Sequence, residues 1–174
     1  MGRDIVSLDD LTVNNLGVFK KINEVVLPTS YPEQWYKDSL NADQIVKLAY
    51  YSELPVAAIK AKTINTSHKA GTYEHMQQQQ INSKIIPNAV YIESFAVLPA
   101  YRGVGIGKKL LDFIIEETKN KFVHEILLHV HIDNKTTIEW YEKHGFIKDD
   151  DIVKDYYKAQ GLENPDAYIL TLKV

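Results

Sequence analysis

An α/β fold with a parallel pair of strands at its centre is what this 174-residue chain predicts, and three observations carry the prediction. From residue 90 onward the hydrophobic pattern alternates strand, helix, strand, helix, strand, in "VYIESFAVLP", the stripe of Ile106, Leu110, Leu111, Ile114 and Ile115, "EILLHVHI", "NKTTIEWYEKH", and then "FIKDD" and "AYILTLKV". A strand, a helix and a further strand in succession form a crossover, which brings the two strands into parallel neighbourhood. Both faces of "VYIESFAVLP" carry large side chains, with Tyr91, Glu93, Phe95 and Val97 on one and Val90, Ile92, Ser94 and Ala96 on the other, so this strand is central.

The earlier elements follow the same logic. Residues 4–7 predict a first strand, and "LDDLTVNNLGVFKKINEVVLP" places Leu11, Leu16, Phe19, Ile22 and Val26 near helical spacing until Pro28 stops the helix. "YPEQWYKDSL" predicts a second, short helix with Pro32 near its first turn. "VKLAYYS" and "PVAAIKAKT" predict a hairpin turning at Glu53 and Leu54. Residues 64–89 are polar, contain four consecutive Gln and hold no period; they predict a mobile insertion in a single domain spanning 1–174. Gly145 is placed to end the helix that begins near Asn134.

Composition narrows the function classes. A net charge of -3 argues against general nucleic-acid or membrane-surface binding. The chain has no Cys, which excludes disulfides and thiolate zinc sites, and no metal is expected. No apolar stretch approaches the roughly 20 residues of a membrane span, and "MGRDIVSLDD" shows no signal-peptide core.

The sharpest local signal is "AYRGVGIGKKLL", which places Arg102, Gly103, Val104, Gly105 and Gly107 between a strand and a helix, with Lys108 and Lys109 following. A Walker A loop would need Gly where Arg102 stands and Ser or Thr where Lys109 stands; a dinucleotide fingerprint from Gly103 would need Gly at Lys108. What remains is Arg-x-x-Gly-x-Gly. Its backbone N–H groups and the helix N-terminus can cradle a pyrophosphate, or the glycines can serve only a tight helix entry.

This motif resembles the acetyl-CoA signature of the GNAT acetyltransferases, and "NKTTIEWYEKHGF" is similar to that family's second signature, one strand later. Within the superfamily, "VVLPTSYPEQWYKDSL", "KLAYYSELPVAA", "VYIESFAVLPAYRGVGIG", "LLHVHIDN" and "DYYK" resemble N-terminal acetyltransferases of the NatE catalytic-subunit type. The resemblance implies a GNAT fold, whose mixed central sheet splays a parallel pair around acetyl-CoA between flanking helices. It also implies acetylation of nascent protein N-termini that begin with Met and a hydrophobic residue. The implied setting is cytoplasmic, in association with the NatA scaffold and catalytic subunits and, through them, the ribosome.

The resemblance also implies site roles. Tyr91 and His129 align with bases acting through water, and Tyr141 with a donor of the thiolate's proton that also lies near the CoA sulfur. The backbone at Phe95 and Val97 would hold pantetheine and polarise the thioester, Arg102, Gly103, Val104, Gly105, Gly107 and Lys108 would hold the pyrophosphate, and Asn134 would contact the cofactor. Leu27, Pro28, Thr29, Tyr31 and Glu93, with Tyr156 and Tyr157, would enclose the first substrate residues.

Four positions depart from that pattern: Gly103 stands for Arg, Leu27 for Phe, Thr29 for Val and Glu93 for Met. Glu93 has two readings, a further general base or a carboxylate that opposes hydrophobic selectivity. Two other functions stay open, a non-catalytic GNAT subunit of the NatA complex and an acetyltransferase for lysine or small amines.

Overall fold

The computed structural model describes residues 5–66, 86–161 and 164–174. Seven strands form one mixed sheet in the order β1-β2-β3-β4-β5-β7-β6, with β1 at Val6–Asp10, β2 at Gln44–Tyr51, β3 at Leu54–Ile64, β4 at Ala89–Val97, β5 at Glu125–His131, β6 at Ile147–Val153 and β7 at Ala167–Lys173. The predicted parallel pair is β4 with β5, in register at Val90↔Ile126 and Tyr91↔Leu127. The chain divides into two compact units, Met1–Lys62 with Glu93–Glu117, and Thr63–Ile92 with Thr118–Val174.

In the first unit β1, β2 and β3 run antiparallel, and the hairpin turns at Ser52, whose φ of 59° is left-handed. The turn therefore falls one residue earlier than the sequence predicts, and Leu54 already belongs to β3. Helix α1, Leu16–Val26, begins after a short 3-10 turn in which the Thr12 N–H donates to Asn15 Oδ1 at 2.7 Å. It ends because Leu27 precedes Pro28: Leu27 is extended (φ -90°, ψ 140°), as the proline ring requires. Helix α2, Glu33–Asp38, follows with Glu33 in its first turn and Lys37 in its last, both favourable to the helix dipole. Phe19, Ile22, Tyr36, Leu48, Ala58 and Ala96 form the core, and the Phe19 ring meets Tyr36 edge-on at 5.3 Å.

Most of helix α3, Ile106–Asn120, also lies in this unit. Ile106, Leu110, Leu111 and Ile114 are buried, as the apolar stripe predicts.

In the second unit β7 lies between β5 and β6, antiparallel to both, so the C-terminal strand is internal. The ladder to β6 is irregular between Lys148 and Ile152, where "KDDDI" puts three carboxylates in succession. Helix α4, Lys135–Lys143, ends at Gly145 (φ 97°), where a Cβ would meet Leu172 Cδ1 at 3.2 Å. The Gly145 and Phe146 N–H groups close the helix on the Glu142 and Tyr141 carbonyls, as a glycine C-cap should. A smaller core gathers Ile64, Ala89, Tyr91, Leu127 and Ile169.

The predicted first strand at 4–7 is displaced: β1 is Val6–Asp10, and residue 4 lies outside the described residues. So does 67–85, which carries most of the predicted insertion; at its base Asn65 Nδ2 donates to the Ile86 carbonyl and the Thr66 N–H to Asn88 Oδ1. Among the described residues no helix is long and apolar enough to cross a membrane.

Candidate active site

Strand alternation turns Tyr91 of β4 and His129 of β5 into the interior of the second unit, where Tyr91 is 2% exposed. The Tyr91 hydroxyl lies 2.6 Å from His129 Nδ1 and 2.6 Å from the Tyr156 hydroxyl. Tyr156 stacks on the His129 ring at 3.9 Å with an interplanar angle of 11°. Burial pushes His129 down to about 3, so its imidazole is neutral at physiological pH. With the Tyr91 hydroxyl central between a neutral imidazole and a second hydroxyl, a proton can pass from Tyr91 to Tyr156, because each hydroxyl both donates and accepts.

The same shift has a consequence for stability. An unfolded His titrates near 6.5 and the folded one near 3, so between these values the unfolded chain binds more protons and folding weakens as the pH falls. Stability should drop by up to about 1.4 kcal/mol per pH unit through that window on account of this residue. Urea titrations of wild type and His129→Phe at pH 7 and pH 4.5 test this; the variant should lose less than wild type on acidification, and equal losses would refute it.

A second cluster lies in the first unit. The Glu93 carboxylate accepts from Trp35 Nε1–H at 2.7 Å, and its other oxygen lies 4.0 Å from Lys60 Nζ, with the two side chains 5% and 2% exposed. The Lys60 ammonium donates to the Trp35 carbonyl at 3.2 Å and sits 3.7 Å from the Trp35 ring centroid, a cation-π contact. Burial pushes Lys60 down to about 8 despite the opposing pull of Glu93. Lys62 is likewise lowered by burial. The segment leaving α1 joins this cluster: Tyr31 stacks on Trp35 at 3.9 Å, and its hydroxyl donates to the Glu93 carbonyl at 3.1 Å. Burial raises the Tyr31 phenol to about 12, so it stays a donor. Thr29 Oγ1 lies 3.5 Å from the Tyr31 hydroxyl, and Leu27 packs against the neighbouring core.

The glycine turn precedes α3. Gly103 and Gly105 have φ of 81° and 88°, and a Cβ at either would meet nothing within 4 Å. Both therefore serve backbone conformation at the entry to α3. An L-residue in the left-handed region costs about 1–2 kcal/mol, so an Arg at Gly103 would add charge against a backbone penalty. Arg102 Nε donates to the Val97 carbonyl at 2.9 Å, tying the turn to the end of β4. Lys108 pairs with Asp112 at 2.8 Å, one helical turn on, and both are exposed. Val104 is exposed at the turn, and Gly107 lies in the first turn of α3.

Tyr141 faces inward from α4 at 5% exposure, against Phe146, and burial raises its phenol, holding it protonated. The Asn134 side chain accepts from the Thr137 N–H at 3.4 Å and so caps α4. The Tyr157 ring meets Tyr156 edge-on at 4.7 Å, and its N–H donates to the Pro165 carbonyl. His131, two residues after His129, is structural. Its Nδ1 accepts from the Asp133 N–H, and its Nε2 contacts the Asn164 carbonyl.

The structure thus brings Tyr91, His129 and Tyr156 together in one unit, and Tyr31, Thr29 and Glu93 in the other. Sequence reasoning placed Tyr156 only against a peptide and missed its contact with Tyr91, because residues 154–157 form a turn without a period. It also missed Trp35 and Lys60. The second left a signal: a lysine within the apolar run "VAAIKAK" needs a buried partner. Among the described residues no cluster of three His, Cys, Asp or Glu could hold a metal ion.

A mixed sheet with a central parallel pair, a glycine turn opening α3 and a buried Tyr-His pair are the features that the resemblance to acetyltransferases implies. The sequence matches the Acetyltransferase (GNAT) family over residues 19–146, and the chain belongs to that family. It is 32% identical to N-alpha-acetyltransferase 50 of Danio rerio, over 95% of this chain and 86% of that protein. It is 33% identical to the probable N-acetyltransferase san of Drosophila melanogaster, over 98% of this chain and 82% of that one. Arabidopsis thaliana Naa50, solved with the bisubstrate analogue CoA-Ac-MVNAL, superposes with a TM-score of 0.76 at 31% identity, covering 96% of this chain and 97% of that one. Arabidopsis NAA60 with acetyl-CoA shares the fold, with a TM-score of 0.78 at 18% identity over 97% and 98% of the two chains.

Proposed function

We propose that this protein transfers the acetyl group of acetyl-CoA to the α-amine of protein N-termini that begin with Met. The observation that carries the reading is the His129–Tyr91–Tyr156 chain of hydrogen bonds, with the Tyr91 hydroxyl at its centre, in a protein that resembles N-alpha-acetyltransferases along nearly its whole length. An α-amine has a pKa of about 8, so the enzyme needs to remove one proton at the right moment rather than create a strong nucleophile. Tyr91 accepts that proton, directly or through one water, while passing its own to the Tyr156 hydroxyl 2.6 Å away, which releases one to solvent; His129 Nδ1, also 2.6 Å from the Tyr91 hydroxyl, holds it in place. A buried imidazole held down to about 3 is a poor final store for a proton. The charge therefore leaves through Tyr156, which is partly exposed. Tyr141, held protonated by burial, supplies the proton for the departing thiolate.

Acetyl-CoA supplies the activated acetyl group. The backbone of 102–108 and the N-terminus of α3 hold its pyrophosphate, with the backbone at Phe95 and Val97 serving pantetheine and the carbonyl oxygen, and Asn134 a further contact. Resemblance to the NatE type supports Leu27, Pro28, Thr29, Tyr31, Glu93, Tyr156 and Tyr157 as the residues that contact the Met and a hydrophobic second residue. The Arabidopsis relative's analogue carries Met-Val, which supports this preference. Resemblance to the NatE type further supports association with the NatA subunits, and through them the ribosome, in the cytoplasm.

A second reading, a NatA-bound subunit with a lapsed site, is favoured by one observation: Gly103 leaves the pyrophosphate turn one cation short of the NatE pattern. Calorimetric titration of acetyl-CoA into the isolated chain and into the chain bound to the NatA scaffold separates the two. Micromolar or tighter binding supports the transferase, and undetectable binding in both states supports the second reading. Acetylation of an internal lysine in preference to an α-amine would support the lysine-acetyltransferase alternative.

A further inference from the structure

Tyr156 and Tyr157 stand on the connection between β6 and β7, outside any strand ladder. That connection leaves β6 at Val153 and enters β7 at Ala167, whose partner on β5 is His131. Its two limbs are tied together: the Asp155 N–H donates to Asp166 Oδ1 at 2.9 Å, and the Tyr157 N–H to the Pro165 carbonyl at 2.7 Å. The returning limb is tied in turn to the end of β5. The Ile132 N–H donates to the Asp166 carbonyl at 3.2 Å, and Asn164 Nδ2 to Asp133 Oδ2 at 3.1 Å. His131 closes this clasp from the strand. Its Nδ1 accepts the Asp133 N–H at 3.1 Å, so its hydrogen sits on Nε2, which donates to the Asn164 carbonyl. Alternation puts His129 and His131 on one face of β5, and the two rings meet successive tyrosines: Tyr156 stacks on His129 at 3.9 Å, and Tyr157 lies 5.7 Å from His131.

We propose that His131 is a positioning residue for the proton outlet: through the Asn164 carbonyl it fixes the returning limb, and through the ties between the limbs it keeps the Tyr156 hydroxyl on Tyr91. The inference rests on the N-terminal acetyltransferase reading and adds a residue to its proton path. The Tyr91 and Tyr156 hydroxyls are 2.6 Å apart, a distance at which a proton passes directly. A displacement of about 1 Å at a reacting group can cost about 10²-fold in rate, so a limb that slips by that much would slow the proton's exit. His131 itself touches neither Tyr91 nor the substrate in this scheme; it acts on the chemistry only through Tyr156.

The test reads kcat for acetylation of a Met-Leu peptide by the full chain, with acetyl-CoA affinity measured alongside by calorimetry. His131→Phe keeps a ring beside Tyr157 and removes both nitrogens; it should lower kcat by about tenfold to 10²-fold and leave acetyl-CoA affinity nearly unchanged. His131→Gln, whose carboxamide offers an acceptor for Asp133 and a donor for Asn164, should recover kcat to within about threefold of wild type. In a Tyr156→Phe background the same His131→Phe change should cost less than about twofold, because the hydroxyl it positions is already gone. Full kcat in folded His131→Phe, no recovery in His131→Gln, or equal losses with and without the Tyr156 hydroxyl overturns the inference and leaves the acetyltransferase reading standing. If His131→Phe does not fold, His131→Ala in the same cycle decides. Absence of acetylation by wild type overturns both.

Discussion

Tyr91→Phe/His129→Ala is expected to lower peptide turnover by about 10²–10⁴-fold while leaving acetyl-CoA affinity nearly unchanged. The two residues share one hydrogen bond of 2.6 Å, so they act as a unit and their losses should not add. The double variant should therefore be little worse than the poorer single one. Phe at 91 keeps the ring in its buried place and removes only the hydroxyl, which separates proton transfer from packing. Because His129 stays neutral down to about 3, the pH dependence of kcat/KM should show no step near 6.5, and its rising limb should follow the substrate amine near about 8. Unchanged turnover in the double variant would remove this pair from the chemistry. A limb near 6.5 that disappears in His129→Ala would show that His129 titrates as an ordinary histidine.

The second large effect falls on stability. Glu93→Met alone leaves Lys60 buried without its carboxylate, and breaking a buried pair from one side costs about 3–5 kcal/mol. Lys60→Met/Glu93→Met removes both charges, and replacing a buried pair by apolar residues of similar size is often neutral or stabilising. The double variant should therefore be more stable than either single one, as measured by urea unfolding. The Lys60 shift fixes the pH trend. Its folded value of about 8 lies below the unfolded 10.5, so the penalty of burying the ammonium is fully present below pH 8 and fades as the pH rises towards 10.5. Single variants as stable as the double would mean that Glu93 and Lys60 do not compensate one another.

Much of the fold was legible because its signals are local. The stripe of α3, the proline that ends α1 and the glycine that ends α4 each act through the backbone of their own element. The order of strands and helices was enough to place β4 beside β5 in parallel. What escaped depended on distant partners. Tyr156 reaches Tyr91 across 65 positions, and Trp35 reaches Glu93 across 58, so neither contact leaves a periodic trace. Glu93 illustrates the difference. Its unusual identity could be read from the sequence, yet the indole that holds one oxygen and the lysine set back from the other belong to separate elements that only folding assembles.

The most direct measurement is to incubate the purified chain with acetyl-CoA and an unblocked peptide that begins with Met and also contains an internal lysine, and to locate the added acetyl group by fragmentation mass spectrometry. The account predicts acetyl on the α-amine, formed catalytically and lost in the Tyr91→Phe/His129→Ala variant. Acetyl found only on the lysine, or no transfer from an enzyme that binds acetyl-CoA, would contradict it.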